Sequence, residues 1–190
     1  MSIAERPVYE IRWHGRGGQG AVTSAKILAD AAFRSGFAGV TSQPSFGAER
    51  RGAPITASTR LAHEPIRVLN QVTEPDIVVV LDDSLLTVGG ATSGVTSGGM
   101  LIVNTTRSAP ELGVAGDFRV VTADVTGAAE AVELIVGGQP MVSTAILGSF
   151  AAATGLIDLE SVEQAIAHAF SGRAAAKNIE AARIAFECTG

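Results

Sequence analysis

At 190 residues with 46% hydrophobic content, the chain carries enough apolar material for one well-packed core, and it reads as a single domain over 1–190. A formal charge of -5 leaves no basic surplus for a nucleic-acid backbone. Cys188 is the only cysteine, which excludes an internal disulfide, a self-contained iron–sulfur cluster and a cysteine-rich zinc site.

The opening MSIAERPVYE bears charges and a proline where a secretory signal needs an apolar centre. No run approaches the roughly 20 apolar residues of a membrane span, so a cytoplasmic setting is expected. Tyr9–Trp13 alternates large and polar residues as a strand does, and HGRGGQGA (14–21) follows at once. From Ala21 the apolar residues Val22, Ala25, Leu28, Ala29, Ala32 and Phe33 recur at helical spacing until Gly36. This is strand, glycine loop, helix. In that context the helix start offers unpaired N–H groups and a partial positive charge to an anion.

A second strand is expected at Gly39–Gln43, then an irregular segment, then ITASTRLA (55–62) as a strand with an antiparallel partner. DIVVVLD (76–82) and MLIVNT (100–105) are continuous apolar runs of the sort buried on both sheet faces, and FRVVTADV (118–125) reads as a weaker strand. TVGGATSGVTSGG (87–99) reads as a flexible surface connection. Helical spacing returns over 142–153, 159–170 and 174–186, with Asp158 as an N-cap and Gly172 between the last two. The alanine-rich, weakly charged stretch 142–155 is expected to present apolar surface to partner chains. Together these elements predict an α/β fold: a Rossmann-like, doubly wound, mostly parallel sheet with helices on both faces and a C-terminal helical layer.

Gly15, Gly17 and Gly20 match the G-x-G-x-x-G spacing that wraps a dinucleotide pyrophosphate. A dinucleotide site also needs a carboxylate near the end of the second strand, where this chain reads GVTSQPS. A P-loop needs a lysine beside its last glycine, and Lys26 lies more than a turn into the helix. The glycines then serve either a different anion or a tight strand-to-helix turn without a ligand. A side chain at Gly18 is expected to obstruct close backbone approach.

The segment SFGAERRGAP (45–54) places Glu49, Arg50 and Arg51 in a loop after a strand. In an open α/β sheet this loop and the glycine loop leave strand C-terminal ends and face one crevice, where Arg16, Arg50 and Arg51 surround an anion or a partner's acidic surface. The alternative is a local Glu49–Arg50 ion pair with Arg51 solvated. The catalytic inventory is thin. His14, His63 and His168 share no metal-ligand spacing, Ser143 and Thr144 have no evident base, and no nucleophile elbow occurs.

GRGGQGAVTSAKILADAA, PSFGAERRGAP, STAILGSFAAATG and AAAKNIEAARIAFE together resemble the gamma subunit of pyruvate or 2-oxoacid:ferredoxin oxidoreductases over nearly the whole chain. The resemblance implies a complex that decarboxylates a 2-oxo acid on thiamine diphosphate, passes electrons through iron–sulfur clusters to ferredoxin and delivers the acyl group to coenzyme A. It implies that alpha, beta and delta partners hold the thiamine diphosphate, its Mg2+ and the clusters, while the gamma chain covers the active site and accommodates coenzyme A. Carried onto this sequence, the candidate binding residues are Gly15, Arg16, Gly17, Gly18, Gln19, Gly20, Ser45, Phe46, Glu49, Arg50 and Arg51. No catalytic or metal residue is assigned. Two other classes stay open: a free-standing NAD(P) enzyme and a nucleotide-sensing or interaction domain.

Overall fold

The computed structural model describes residues 5–44, 51–67, 70–88 and 90–190. Ser45, Phe46, Glu49 and Arg50 lie outside the described residues. In chain order the elements are β1 (Val8–Arg16), α1 (Ala21–Arg34), β2 (Gly39–Pro44), β3 (Pro54–Ala62), β4 (Ile77–Val80), α2 (Leu85–Val88), β5 (Gly99–Asn104), a 3-10 turn (Ala109–Leu112) and β6 (Phe118–Ala123). Then follow α3 (Val125–Ala131), the hairpin β7 (Ile135–Val136) and β8 (Gln139–Pro140), α4 (Val142–Thr154), α5 (Leu159–Ala169) and α6 (Gly172–Glu187).

The six strands β1 to β6 form one sheet in the order β2-β3-β1-β4-β5-β6. β4, β5 and β6 continue parallel from β1, while β3 runs antiparallel between β1 and β2. The chain leaves β1 through α1 toward one edge and later extends the sheet from β4 toward the other. The strand order therefore reverses between β1 and β4, and the C-terminal ends of these strands open a crevice there.

The pleat explains why the central strands are apolar throughout. Ile77 and Val79 face the main core with Ile11, Trp13, Leu61 and Ile102, whereas Val78 and Val80 join Leu85, Leu101 and Val103 on the other face. Helices lie on both faces but unequally: the long helices α1, α4, α5 and α6 belong to the main core, and the short α2 and the 3-10 turn edge the second cluster. In the main core Trp13 stacks on Phe150 with centroids 6.1 Å apart and donates to Thr59 Oγ1 at 3.0 Å.

The stretch 142–155 departs from its expected role. α4 is buried almost all round, as a helix apolar on every side must be. Gly148 permits this: a Cβ there would stand 1.8 Å from Ala182 O of α6, so only glycine lets the two helices approach so closely. The apolar surface expected to meet partner chains is covered by this chain's own α6. Gly172 is likewise the first residue of α6 rather than a separator, with Ser171 at the N-cap. Part of the 87–99 connection is also tied down, since Arg12 Nη2 donates to Ala91 O at 3.1 Å and to Ser93 O at 2.5 Å.

Candidate functional site

β1 runs on through Gly15 and Arg16 before the chain turns at Gly17–Gly20 into α1. Gly15 is packed into this turn, where a Cβ would stand 3.1 Å from Leu81 Cδ1 and 3.2 Å from Ala21 Cβ. Gly18 and Gly20 have φ of 99° and 84°, a left-handed conformation that disfavours any side chain. The two differ in their surroundings. A Cβ on Gly18 would meet nothing within 4 Å, whereas one on Gly20 would stand 2.7 Å from Ser143 Cβ.

Gly20 is the N-cap of α1 and supplies no side-chain acceptor, and the first turn contains no acidic residue. Among the described residues, no side chain caps the amides of the first turn. Within the loop, Gly17 N donates to Ala53 O at 2.8 Å and Gln19 N to Arg16 O at 2.9 Å. Among the described residues the Gly18 and Gly20 amides have no acceptor in this chain.

The start of α4 stands beside the start of α1. Its N-cap, Met141, also offers no side-chain acceptor, and its first turn is likewise free of acidic residues. Ser24 Oγ of α1 donates to Ser143 O of α4 at 2.7 Å and fixes the junction. The Ser143 hydroxyl, wholly buried against Gly20, has no hydrogen-bond partner among the described residues. A cleft of about 820 Å³ opens over both helix starts, lined by the glycine loop, Arg51, Asn104, Thr126 and the hairpin residues Val136 and Gly137.

The structure brings the described part of the second loop to the first. Gly17 and Arg51 form a parallel bridge, and Gly52 N donates to Gly17 O at 3.0 Å. The arginines that reach the cleft are placed differently. Arg16 Nε pairs with Asp82 Oδ2 at 2.9 Å, its Nη1 donates to Gly52 O at 3.2 Å and its Nη2 to Ser84 Oγ at 2.7 Å. Among the described residues the Arg51 side chain has no hydrogen bond or ion pair.

Asp82, just past β4, is the residue that sequence reading missed. Its Oδ2 accepts from Arg16 and from Gln19 Nε2 at 3.3 Å, and its Oδ1 from Ser84 N at 3.1 Å. Gln19 returns to the loop, with Oε1 accepting from Arg16 N at 2.7 Å. Burial pushes the Asp82 carboxyl upward, but the bonds from Ser84, Arg16 and Gln19 outweigh it and hold the carboxyl below the ordinary range. The sequence did carry a signal: an Asp-Asp pair ending an apolar strand at the switch point.

His14 lies behind the loop, buried, with Nε2 accepting from Arg12 Nε at 3.0 Å. Burial first, and the Arg12 charge second, push its pKa down to about 4, so it is neutral at physiological pH. His63 stacks on Phe37 and His168 pairs with Asp30, and neither lines the cleft. Thr144 Oγ1 donates to Asn178 Oδ1 at 2.6 Å and joins α4 to α6. Among the described residues no group of three His, Cys, Asp or Glu side chains could hold a metal ion, and no helix is long and apolar enough to cross a membrane. Among the described residues, what the cleft offers an anion is backbone amides, two helix starts and the unengaged Arg51 guanidinium.

Residues 10–188 match the family model described as pyruvate ferredoxin/flavodoxin oxidoreductase. The chain is 51% identical to the pyruvate/ketoisovalerate oxidoreductases common subunit gamma of Thermococcus kodakarensis, covering 95% of this chain and 96% of that one. It is 48% identical to pyruvate synthase subunit PorC of Methanothermobacter thermautotrophicus, over 94% of each. Among solved structures, the pyruvate oxidoreductase subunit PORC of Thermotoga maritima superposes with a TM-score of 0.83 at 31% identity, covering 97% of this chain and 98% of that one. A 2-oxoglutarate:ferredoxin oxidoreductase from Magnetococcus marinus, solved with 2-oxoglutarate, coenzyme A and succinyl-CoA, shares the fold at TM-score 0.73 and 17% identity. That match covers 94% of this chain and 30% of the larger protein.

Proposed function

The chain belongs to the pyruvate ferredoxin/flavodoxin oxidoreductase family as a gamma-type subunit, and on that premise we propose that its cleft holds the phosphates of coenzyme A. The setting in this reading is a thiamine diphosphate-dependent 2-oxoacid:ferredoxin oxidoreductase. The alpha, beta and delta partners carry thiamine diphosphate, Mg2+ and the iron–sulfur clusters, and ferredoxin accepts the electrons. The thiamine cofactor supplies the decarboxylation chemistry. This chain binds and orients the acyl acceptor and helps to keep water from the reacting centre.

The observation that carries the reading is the meeting of α1 and α4 at one cleft, each with an N-terminus that no side chain caps. Each helix start favours a nearby anion by about 0.3–1 kcal/mol, more where partly buried. The charge comes from Arg51, because Arg16 is already neutralised by Asp82. A charge-assisted hydrogen bond from Arg51 adds about 1.5–3 kcal/mol. The Magnetococcus marinus protein, which shares this fold, was solved with coenzyme A. A dinucleotide reading has less support, since β2 ends in Ser42, Gln43 and Pro44 with no carboxylate for a ribose.

The test is Arg51→Ala in the assembled complex. The KM for coenzyme A should rise about tenfold or more, following from the loss of one such bond, while the KM for the oxo acid stays within about twofold. An unchanged KM for coenzyme A would remove the binding role and leave the loop as a turn that seats this subunit against its neighbours.

A further inference from the structure

We propose that Asp82 is the positioning residue of the glycine loop, acting through Arg16 and Gln19 to hold the loop amides open toward the anion; this rests on the coenzyme A reading above. The geometry is a closed circuit. The carboxylate takes Arg16 Nε and Gln19 Nε2 on one oxygen, Gln19 Oε1 takes the Arg16 amide, and the Arg16 guanidinium reaches across to Gly52 O. Both loops that border the cleft are thereby tied to one carboxylate at the end of β4. Ser84 fixes the other oxygen through its amide at 3.1 Å.

The circuit has two consequences for an incoming phosphate. It spends the Arg16 charge inside the protein and leaves Arg51, among the described residues, as an available guanidinium. It also turns the Gln19 side chain back under the loop, so that side chain does not compete for the amides of Gly18 and Gly20. A carboxylate beside a phosphate site is unfavourable by charge alone. Asp82 is tolerated there because Arg16 screens it and because the order it imposes outweighs the repulsion.

That opposition gives the experiment a sign. If Asp82 acted only through its charge, Asp82→Asn would free Arg16, remove a negative charge and tighten coenzyme A binding. As a positioning residue, its loss weakens binding: in the assembled complex Asp82→Asn should raise the KM for coenzyme A about tenfold, with the loss appearing in KM rather than kcat. Hydrogen exchange across 16–20 should speed up by a similar factor. Because Asp82 acts through Arg16, the double variant Arg16→Met with Asp82→Asn should be no worse than Asp82→Asn alone.

A KM that falls or holds, while Arg51→Ala raises it, overturns the role of Asp82 and leaves the coenzyme A site standing. If Arg51→Ala is silent, the coenzyme A reading is wrong, and the positioning of the loop stands or falls on the exchange rates alone. Loop exchange that is unchanged in Asp82→Asn overturns the proposal in either case.

Discussion

Helices α5 and α1 begin in opposite ways. α5 starts at Asp158, whose Oδ1 accepts from Ser161 N at 2.6 Å, and α3 starts the same way at Asp124, which accepts from Gly127 N at 2.8 Å. The 3-10 turn carries a full capping box between Ser108 and Glu111. α1 and α4 start at Gly20 and Met141 with no such acceptor and no acid in the first turn. α6 also lacks a side-chain cap, but its start is exposed to water, which can satisfy its amides. Capping follows location: α3, α5 and the 3-10 turn close their starts with side chains, α6 opens to water, and the two starts that share the cleft have neither a side-chain cap nor an acid in the first turn.

The sharpest way to break this contrast is to fill the space between the uncapped starts. Gly20→Ala puts a Cβ 2.7 Å from Ser143 Cβ and holds alanine at a φ of 84°. The conformational cost is about 1–2 kcal/mol and the overpacking about 1–3 kcal/mol, giving about 2–5 kcal/mol of lost stability in denaturant unfolding. Gly18→Ala shares the positive φ but meets open space, so it should lose only about 1–2 kcal/mol. Equal losses at the two positions would show that Ser143 does not press on Gly20 as described.

Removing a cap and adding one should then act on different observables. Asp158→Ala should cost about 1 kcal/mol at neutral pH and leave the KM for coenzyme A unmoved. The Ser161 amide outweighs partial burial and holds the Asp158 carboxyl below its ordinary value. Its contribution is therefore intact above the unfolded value of about 3.9 and disappears as pH falls through the lower folded value, so the variant and the parent should converge only in strong acid. Conversely, Thr23→Glu places a carboxylate at the third position of α1, as Glu111 stands in the 3-10 turn. It should add about 0.3–1 kcal/mol of stability and raise the KM for coenzyme A severalfold. A cap at α1 that leaves coenzyme A kinetics untouched would mean that the uncapped start has no anion to receive.

The same contrast explains what could be read in advance. β1, the glycine turn and α1 were legible because period, glycine spacing and order in the chain all agree there. The antiparallel β3 and the central β4 and β5 followed from alternation and from β-branched runs. α3 and the β7–β8 hairpin were missed, since a seven-residue helix and two-residue strands carry too little periodicity to register. The helical period of α4 was readable but its burial was not, because that depends on Gly148 meeting Ala182 on another helix.

Within the candidate site, the glycine spacing and the basic residues are legible in the sequence, where Arg16, Arg50 and Arg51 group together by charge alone. What separates Arg16 from Arg51 is Asp82, distant in sequence and adjacent only because β4 pairs with β1. Likewise, the Met141 start of α4 could not be paired with Gly20 without the fold. Local pattern indicates where the backbone makes a glycine turn, and tertiary pairing decides which of the nearby side chains are engaged.

The most direct test of the coenzyme A site is hydrogen exchange on the assembled complex with and without saturating coenzyme A, its binding verified independently by titration. Slowed exchange should concentrate at 17–24 and 141–145, the two uncapped helix starts, with the capped start at 158–162 unchanged. Coenzyme A bound to the complex with no protection at either uncapped start would contradict that site.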